Sequence, residues 1–335
     1  MTVTVHDPRH DPAPPGWSDF VARRHLYPPW DYDLLGIEAW LSRNPPLLAV
    51  ARSGTEIVGA MTAMVCLPGS GSRYAPPRTS RLVPKLAQVY QPWLGGEGFL
   101  VPSGDADVLR ALEKGLRRRL GPALAGLIYR NVPASLAPLV SGRGRVTRTV
   151  TPAASMLENR FADEDAWLAS LSRNRRKNVR RVDRLVAADS SLVVRFGPAR
   201  SDVDGSVLAG LMRTHRAKFG RQPFDPRTPV AGAYLAKMVR RPDVHTLTYS
   251  DVDGQVQAFA TYLDHPETPI LQFWASREDR GHLYFDCHAR AIRHVIAGGR
   301  KELFAGRAKA AEKESLGFGA RPMCVVGVPG PLVGR

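Results

Sequence analysis

The sequence predicts an α/β fold with a mixed sheet, arranged as two tandem domains, 1–157 and 158–335. Three observations carry this. First, each half holds two apolar runs that meet across a tight Gly turn. They are Pro46–Arg52 and Glu56–Leu67 around Ser53-Gly54, then His245–Ser250 and Val256–Leu263 around Asp253-Gly254. Such pairs read as hairpins. Second, in each half the hairpin comes with a further strand, a helix, another strand, a short helix and a final strand, the order expected of an internal duplication. Third, 335 residues at 44% hydrophobic and 23% charged supply enough apolar material for two cores.

The first half begins with a polar, Pro-rich stretch, residues 1–20, which reads as a tail without the apolar core of a signal peptide. Asp33–Leu41 reads as a short helix. After the hairpin, Pro68–Arg81 is rich in Gly, Ser and Pro and reads as a loop, and Phe99–Pro102 as a short strand. From Asp105 a helix is predicted, with Val108, Leu109, Leu112, Leu116 and Leu120 at helical spacing. Its acids stand at the start and Arg117–Arg119 at the end, which suits the helix dipole. Leu127–Val132, Pro133–Val140 and Val146–Leu157 read as strand, short helix and closing strand.

In the second half, Phe161–Ala188 reads as one long helical stretch and Ser191–Phe196 as a strand. Asp204–Phe219 and Tyr234–Val239 are helices flanking a Pro-rich loop, Gln222–Pro229. Ile270–Ala275 is a strand, Leu283–Ala297 a helix, Leu303–Ala305 a strand, Lys309–Leu316 a short helix and Met323–Val328 a last strand.

Charge narrows the function classes. Lys and Arg outnumber Asp and Glu 47 to 31, a net +16. Such an excess favours polyanionic partners. Its densest concentration is Arg173–Arg184, with seven basic residues against one acid, inside a basic helix expected over 165–187. Trp167, Leu168, Leu171, Val179, Val182 and Leu185 give that helix a narrow apolar stripe with which to pack. The cluster lacks interleaved aromatics, which points to phosphate-backbone contact rather than base readout. Three widely spaced cysteines, Cys66, Cys287 and Cys324, argue against a disulfide framework or zinc site. The scattered histidines share no helix face that would make a metal site. The longest largely apolar run, Ile57–Leu67, is too short for a membrane span of roughly 20 residues. A cytoplasmic protein is expected.

Two C-terminal segments hold the candidate chemistry. On the helix around Leu283–Ala297, Phe285, Ala289, Ile292 and Ile296 share one face, while Asp286, Arg290 and Arg293 lie on another. Asp286 and Arg290 form an i,i+4 pair; Asp286 is also a carboxylate placed to hold an amine or take its proton. Trp274, Tyr284 and His288 are candidates for lining a pocket. In Phe304–Phe318, a strand ends in a Gly turn and a short helix carries Lys309 and Lys313, which could meet a phosphate.

The stretch LYFDCHARAIRHVIAGGRKELFAGRAKAAEKESLGFGARP resembles the C-terminal signature of the FemAB-like branch of the GNAT acyltransferase superfamily. The family pattern runs roughly HFExCYYxxIExxIxxG, a strand, then GAxGExKxxRGFxP. The matching positions are Phe285, Asp286 (Glu in the family), Cys287, Ile292, Ile296, Gly299, Phe304, Ala308, Lys313, Gly317 and Phe318. Upstream, SRNRRKNVRR resembles the family's RKNIRRER helix. The resemblance covers about 160 residues, Asp165–Pro322, and implies tandem GNAT-like domains of the Fem type that form amide bonds. In the family's best-understood members the donor is an aminoacyl-tRNA, without metal or covalent intermediate. His288 and Ala289 replace a tyrosine pair, and Arg307, Ala310 and Ala311 replace the glycines and glutamate of GAxGE. No RxxGxG/A pyrophosphate loop of the coenzyme-A-dependent GNATs is found; Ser103-Gly104-Asp105 and Asp279-Arg280-Gly281 stand in its places.

Three readings follow. The first is an aminoacyltransferase moving an aminoacyl group from aminoacyl-tRNA to the amine of a small molecule or peptide, in cell-wall or specialised-metabolite assembly, with no cofactor. Arg173, Arg175, Arg176, Lys177, Arg180 and Arg181 would hold the tRNA backbone, and Lys309 and Lys313 its terminal phosphates. Asp286 would orient or deprotonate the amine and Arg307 stabilise the oxyanion. The second reading is acyl transfer from acyl-CoA or an acyl-carrier protein, marked by a pyrophosphate loop beside two parallel strands that splay apart. The third is a non-enzymatic recognition module. The sequence leaves the oligomeric state open, monomer or dimer.

Overall fold

The computed structural model describes residues 1–67, 75, 80–91, 93–102, 105–218, 229–278 and 281–335. The fold is mixed α/β. It divides into two compact units, whose described parts are 1–151 with 322–335, and 152–218 with 229–321. The predicted loops Pro68–Arg81 and Gln222–Pro229 lie almost wholly outside the described residues. So do residues 103–104 and 279–280 of the two stand-ins for a pyrophosphate loop.

Unit 1 opens with β1 (Thr2–His6), α1 (Trp17–Arg23) and α2 (Tyr32–Leu41). The first twenty residues are therefore no tail. β1 pairs antiparallel with β2 (Pro46–Ser53), Thr2 opposite Arg52, and Trp17 and Phe20 are buried. β3 (Glu56–Cys66) completes the hairpin. Next comes β4 (Lys85–Val89), a strand absent from the sequence reading, because KLAQV has little β-branching and owes its extension to its neighbours. β5 (Phe99–Leu100), α3 (Ala106–Leu120), β6 (Leu124–Pro133), α4 (Ala137–Val140) and the start of β7 (Val146–Glu158) follow.

The last strand of the chain, β13 (Gly319–Pro329), pairs antiparallel with β6 from Met323 opposite Pro133 to Pro329 opposite Gly126. A strand expected to close the second half thus completes the first unit. The order in unit 1 is β1-β2-β3-β4-β6-β13. Val108, Leu109, Leu112 and Leu116 of α3 are buried against this sheet, as their spacing predicts.

Unit 2 starts with two helices where the sequence suggests one: α5 (Glu164–Ser170) and α6 (Arg173–Ala188). The break is local chemistry. Leu171 takes an extended conformation, and Ser172 caps the new helix by accepting the N–H of Arg175. β8 (Leu192–Pro198), α7 (Gly205–Ala217), α8 (Gly232–Val239), β9 (Val244–Asp251), β10 (Val256–Leu263), β11 (Ile270–Ser276), α9 (Gly281–Ala297), β12 (Glu302–Phe304) and α10 (Ala310–Glu314) follow. With the end of β7, the sheet order is β7-β12-β11-β10-β9-β8. The core joins Val179, Val182 and Val186 of α6 with Leu283, Cys287, Ala291 and Val295 of α9 and with the strands.

Candidate active site

The two units treat their central parallel strands differently. In unit 1, β4 and β6 stay paired from Lys85 opposite Leu124 to Val89 opposite Tyr129. In unit 2, β11 and β12 meet at the single position Ile270 opposite Phe304. Beyond it the chain after β12 remains with β7: the Ala305 N–H donates to Ser155 O, and the Ser155 N–H to Gly306 O. β11 turns away through a bulge. Thr261 faces Gln272 and Phe259 faces Ala275, so Phe273 and Trp274 together oppose Ala260. Phe273 sits at φ +59°, in the left-handed region that costs a bulky residue about 1–3 kcal/mol and that tends to mark functional sites. A gap between parallel strands is the result.

Aromatic side chains gather beside this gap. The Trp274 ring lies 5.6 Å from that of Tyr284, and Tyr284 lies 4.2 Å from the imidazole of His288, one helical turn on. Phe318 closes the far side at 6.2 Å from His288. Lys309, exposed and at φ +52°, places its Nζ 4.7 Å from the centre of the Tyr284 ring, a cation–π contact. His288 is buried, and its Nδ1–H donates to the carbonyl of Tyr284 at 2.8 Å. That fixes the tautomer and leaves Nε2 as an acceptor. Burial lowers its pKa to about 3, against a smaller opposite effect of that hydrogen bond, so the ring is neutral.

Asp286 leaves α9 on the opposite side from Tyr284 but joins the same set of contacts. Its Oδ2 accepts the Tyr249 hydroxyl and the Arg290 Nε, each at 2.6 Å, and the Tyr249 ring lies 6.3 Å from Trp274. The expected i,i+4 pair exists, with the carboxylate fully buried rather than at the surface. Its Oδ1 is buried and has no hydrogen-bond partner among the described residues. Burial first, and then the neighbouring Cys287 and the Asp286 carboxylate to which it is hydrogen-bonded, holds the Tyr249 hydroxyl well above its ordinary pKa, so it remains a donor. Burial works to lower the pKa of Arg290, but the bond to Asp286 prevails and raises it. Cys287 is buried with its thiol pushed far up by desolvation, which makes it core rather than nucleophile.

Unit 1 supplies a control. Glu113 in α3 is equally buried, yet both its oxygens are taken, by Tyr129, Arg110, two nitrogens of Arg145 and the N–H of Gly334. A saturated carboxylate of that kind is structural; the half-saturated Asp286 has capacity for a substrate.

The remaining predicted residues divide. Arg307 is half-buried beside the gap. Lys313, expected to reach a phosphate, is 2% exposed, and its Nζ donates to the carbonyls of Ala305 at 2.5 Å and Gly306 at 3.0 Å. On α6, Arg173, Lys177, Arg180 and Arg181 are exposed and, at their spacing, share the face opposite Val179, Val182 and Val186. Arg176 turns inward to cap α5, donating to the carbonyls of Leu168, Ala169 and Leu171. Arg175 lies over the ring of Phe285 at 4.9 Å, and Phe285 in turn contacts Tyr284. Tyr249 and Phe273 are not singled out by the sequence, and Phe318 enters there only as a position of the family signature. The alternation His245, Leu247, Tyr249 places Tyr249 inward, but nothing in the sequence names Asp286 as its partner.

Among the described residues, no cluster of His, Cys, Asp and Glu is placed to hold a metal, and no helix is long and apolar enough to cross a membrane.

Comparison with known proteins gives the class. Residues 173–314, from α6 to α10, match the family model of the acetyltransferase (GNAT) domain. The fold is tandem GNAT-like, and its enzymatic class is acyl transfer. Among solved structures, FemX is similar with a TM-score of 0.60 at 11% identity, over 97% of this chain and 97% of that one. L-PGS from Bacillus licheniformis is similar with a TM-score of 0.59 at 10% identity, over 97% and 98%. A DUF2156 C-terminal domain from Agrobacterium fabrum, assigned to a lysylphosphatidylglycerol synthetase, gives 0.58 at 11% identity, over 93% and 89%. No curated protein matches the chain by sequence.

Proposed function

We propose that the protein moves an aminoacyl group from aminoacyl-tRNA to the amine of a small molecule or peptide, with the reaction centred on the gap between β11 and β12. The observation that carries acyl transfer is this parting of parallel strands beside the contact chain Trp274, Tyr284 and His288. The activated ester already holds the energy of the reaction, so the chain has to align two reactants and manage one proton. Asp286 holds the amine through its free Oδ1, with Tyr249 and Arg290 fixing the carboxylate's orientation. The neutral His288 offers an acceptor on the other side of α9. Arg307 is assigned to the developing oxyanion. Support for a tRNA donor comes from the α6 face: Arg173, Lys177, Arg180 and Arg181 project from one stripe, a form suited to a phosphate backbone. Lys309 stands near enough to Tyr284 to meet a terminal phosphate.

A second reading, acyl-CoA as donor, is favoured by one observation. The splay of β11 and β12 is the cleft expected of a pantetheine-binding enzyme.

Binding of bulk aminoacyl-tRNA and of acetyl-CoA over a salt series separates the two. Under the first reading tRNA binds tightly, weakens steeply with salt, and loses roughly one unit of log–log slope for each of Lys177→Ala and Arg180→Ala. Binding of acetyl-CoA with indifference to tRNA gives the second reading. Once a donor is found, Asp286→Asn should lower transfer by roughly 100-fold or more with little change in donor affinity.

A further inference from the structure

Lys313 is a buried cation that makes no ion pair among the described residues; burial pushes its pKa down to about 8, against a smaller opposite effect of the Glu312 charge. Its Nζ instead bridges two carbonyls, Ala305 O and Gly306 O, at the first two residues after β12. These residues form the corner at which the chain departs from β11. The same corner is held to β7 by the Ala305 N–H on Ser155 O and the Ser155 N–H on Gly306 O. Gly306 O therefore accepts twice, once from the strand and once from the lysine. Gly306 then turns at φ +66°, which leads the chain into the loop before α10. The lysine is anchored in its turn: the Phe318 N–H donates to Lys313 O, and the turn after α10 places Leu316, which is fully buried.

We propose that Lys313 is a positioning residue that clamps the Ala305–Gly306 corner onto β7 and so keeps the gap between β11 and β12 open for the acyl donor. This rests on the reading of that gap as the donor site. The alternative state is visible in unit 1, where β4 and β6 remain paired from Lys85 to Val89, with one register shift after Lys85 and four consecutive positions beyond it. In unit 2 the bulge turns β11 aside on one side of the gap, and Lys313 bonds the corner on the other side. A methylene stem with three N–H donors on one atom suits two carbonyls and costs little volume. Without the lysine, Ala305 O loses this donor and Gly306 O keeps the Ser155 N–H alone, in a half-buried corner, which is unfavourable, so the clamp and the corner stabilise each other.

The test uses the full chain with Lys313→Met, which keeps the stem and removes the donors, and Lys313→Arg, which restores charge and donors. Amide exchange at Ala305, whose N–H is bonded to Ser155, reads the corner directly. The expected result for K313M is exchange at Ala305 faster by about tenfold or more, the factor for loss of about one hydrogen bond. Affinity for aminoacyl-tRNA or acetyl-CoA should fall by a similar factor, with the salt slope of tRNA binding unchanged and partial recovery in K313R. Unchanged exchange at Ala305 overturns the proposal. So does a drop of one unit in the salt slope with Ala305 still protected, which makes Lys313 a phosphate contact. If K313M does not fold, Lys313→Gln is read by the same criteria. A wild-type chain that binds neither donor defeats the functional reading, while the exchange result still decides the clamp.

Discussion

At the scale of single residues, burial decides which groups keep a proton. His288 shows it best. The unfolded chain takes up a proton near pH 6.5, whereas the folded imidazole resists until about pH 3. Between those values the native state binds fewer protons than the unfolded one. The stability His288 contributes is therefore complete above pH 6.5 and is lost as the pH falls below it. Replacing it by Phe, which packs against Tyr284 and Phe318 without titrating, should leave the melting temperature at pH 7.5 nearly unchanged. It should also flatten the decline toward pH 4 by roughly 2–4 kcal/mol, measured by thermal unfolding of both chains across that range. An identical decline in the two would show that the ring is hydrated in solution. The sequence made part of this legible. Tyr284 and His288 are four apart and share a helix face, so their pairing follows from helical geometry. Tyr249, Phe273 and the burial of Lys313 are set by tertiary contacts between segments far apart in the chain, and local periodicity carries no record of them.

At the scale of elements, hydrophobic spacing predicted most helices within one or two residues, and it failed where a single residue overruled it. Phe161–Ala188 reads as one helix because its apolar positions continue through Leu171. The structure breaks it there, since Ser172 caps α6 and Arg176 caps the carbonyl end of α5. Ser172→Ala should cost about 1 kcal/mol and lower the melting temperature of unit 2 by roughly 2–4 °C. A calorimetric scan of the variant checks this, and an unchanged transition would mean that Arg176 alone sustains the break. The same break gives the basic face its direction. With α6 starting afresh at Arg173, the valines at 179, 182 and 186 face the core and the cations at 173, 177, 180 and 181 face out. β4 was illegible for the opposite reason: five residues without strong preference become a strand because β3 and β6 present open edges on either side.

At the scale of the whole molecule, the ends of the chain matter most. The N-terminal stretch, which composition marks as a tail, supplies β1 and two buried aromatic residues. The C-terminal stretch supplies β13 and the Gly334 N–H that saturates Glu113. A fragment of residues 1–157 should therefore leave the β6 edge open and give a molten or aggregating product, and a synthetic peptide of residues 319–335 added to it should restore a cooperative transition. Tryptophan fluorescence and sedimentation would follow both, and a fragment that unfolds cooperatively without the peptide would show that β13 is dispensable. The placement of β13 also sets a timetable for synthesis. The partner of Pro133 is Met323, which the ribosome adds 323 − 133 = 190 residues later. At roughly 5–20 residues per second that delay is roughly 10–40 s. Throughout it the first-made part of the protein waits with an unfinished sheet, and unit 2, whose chain runs to Arg321, is itself complete only two residues before Met323, so the last residues made finish both units together.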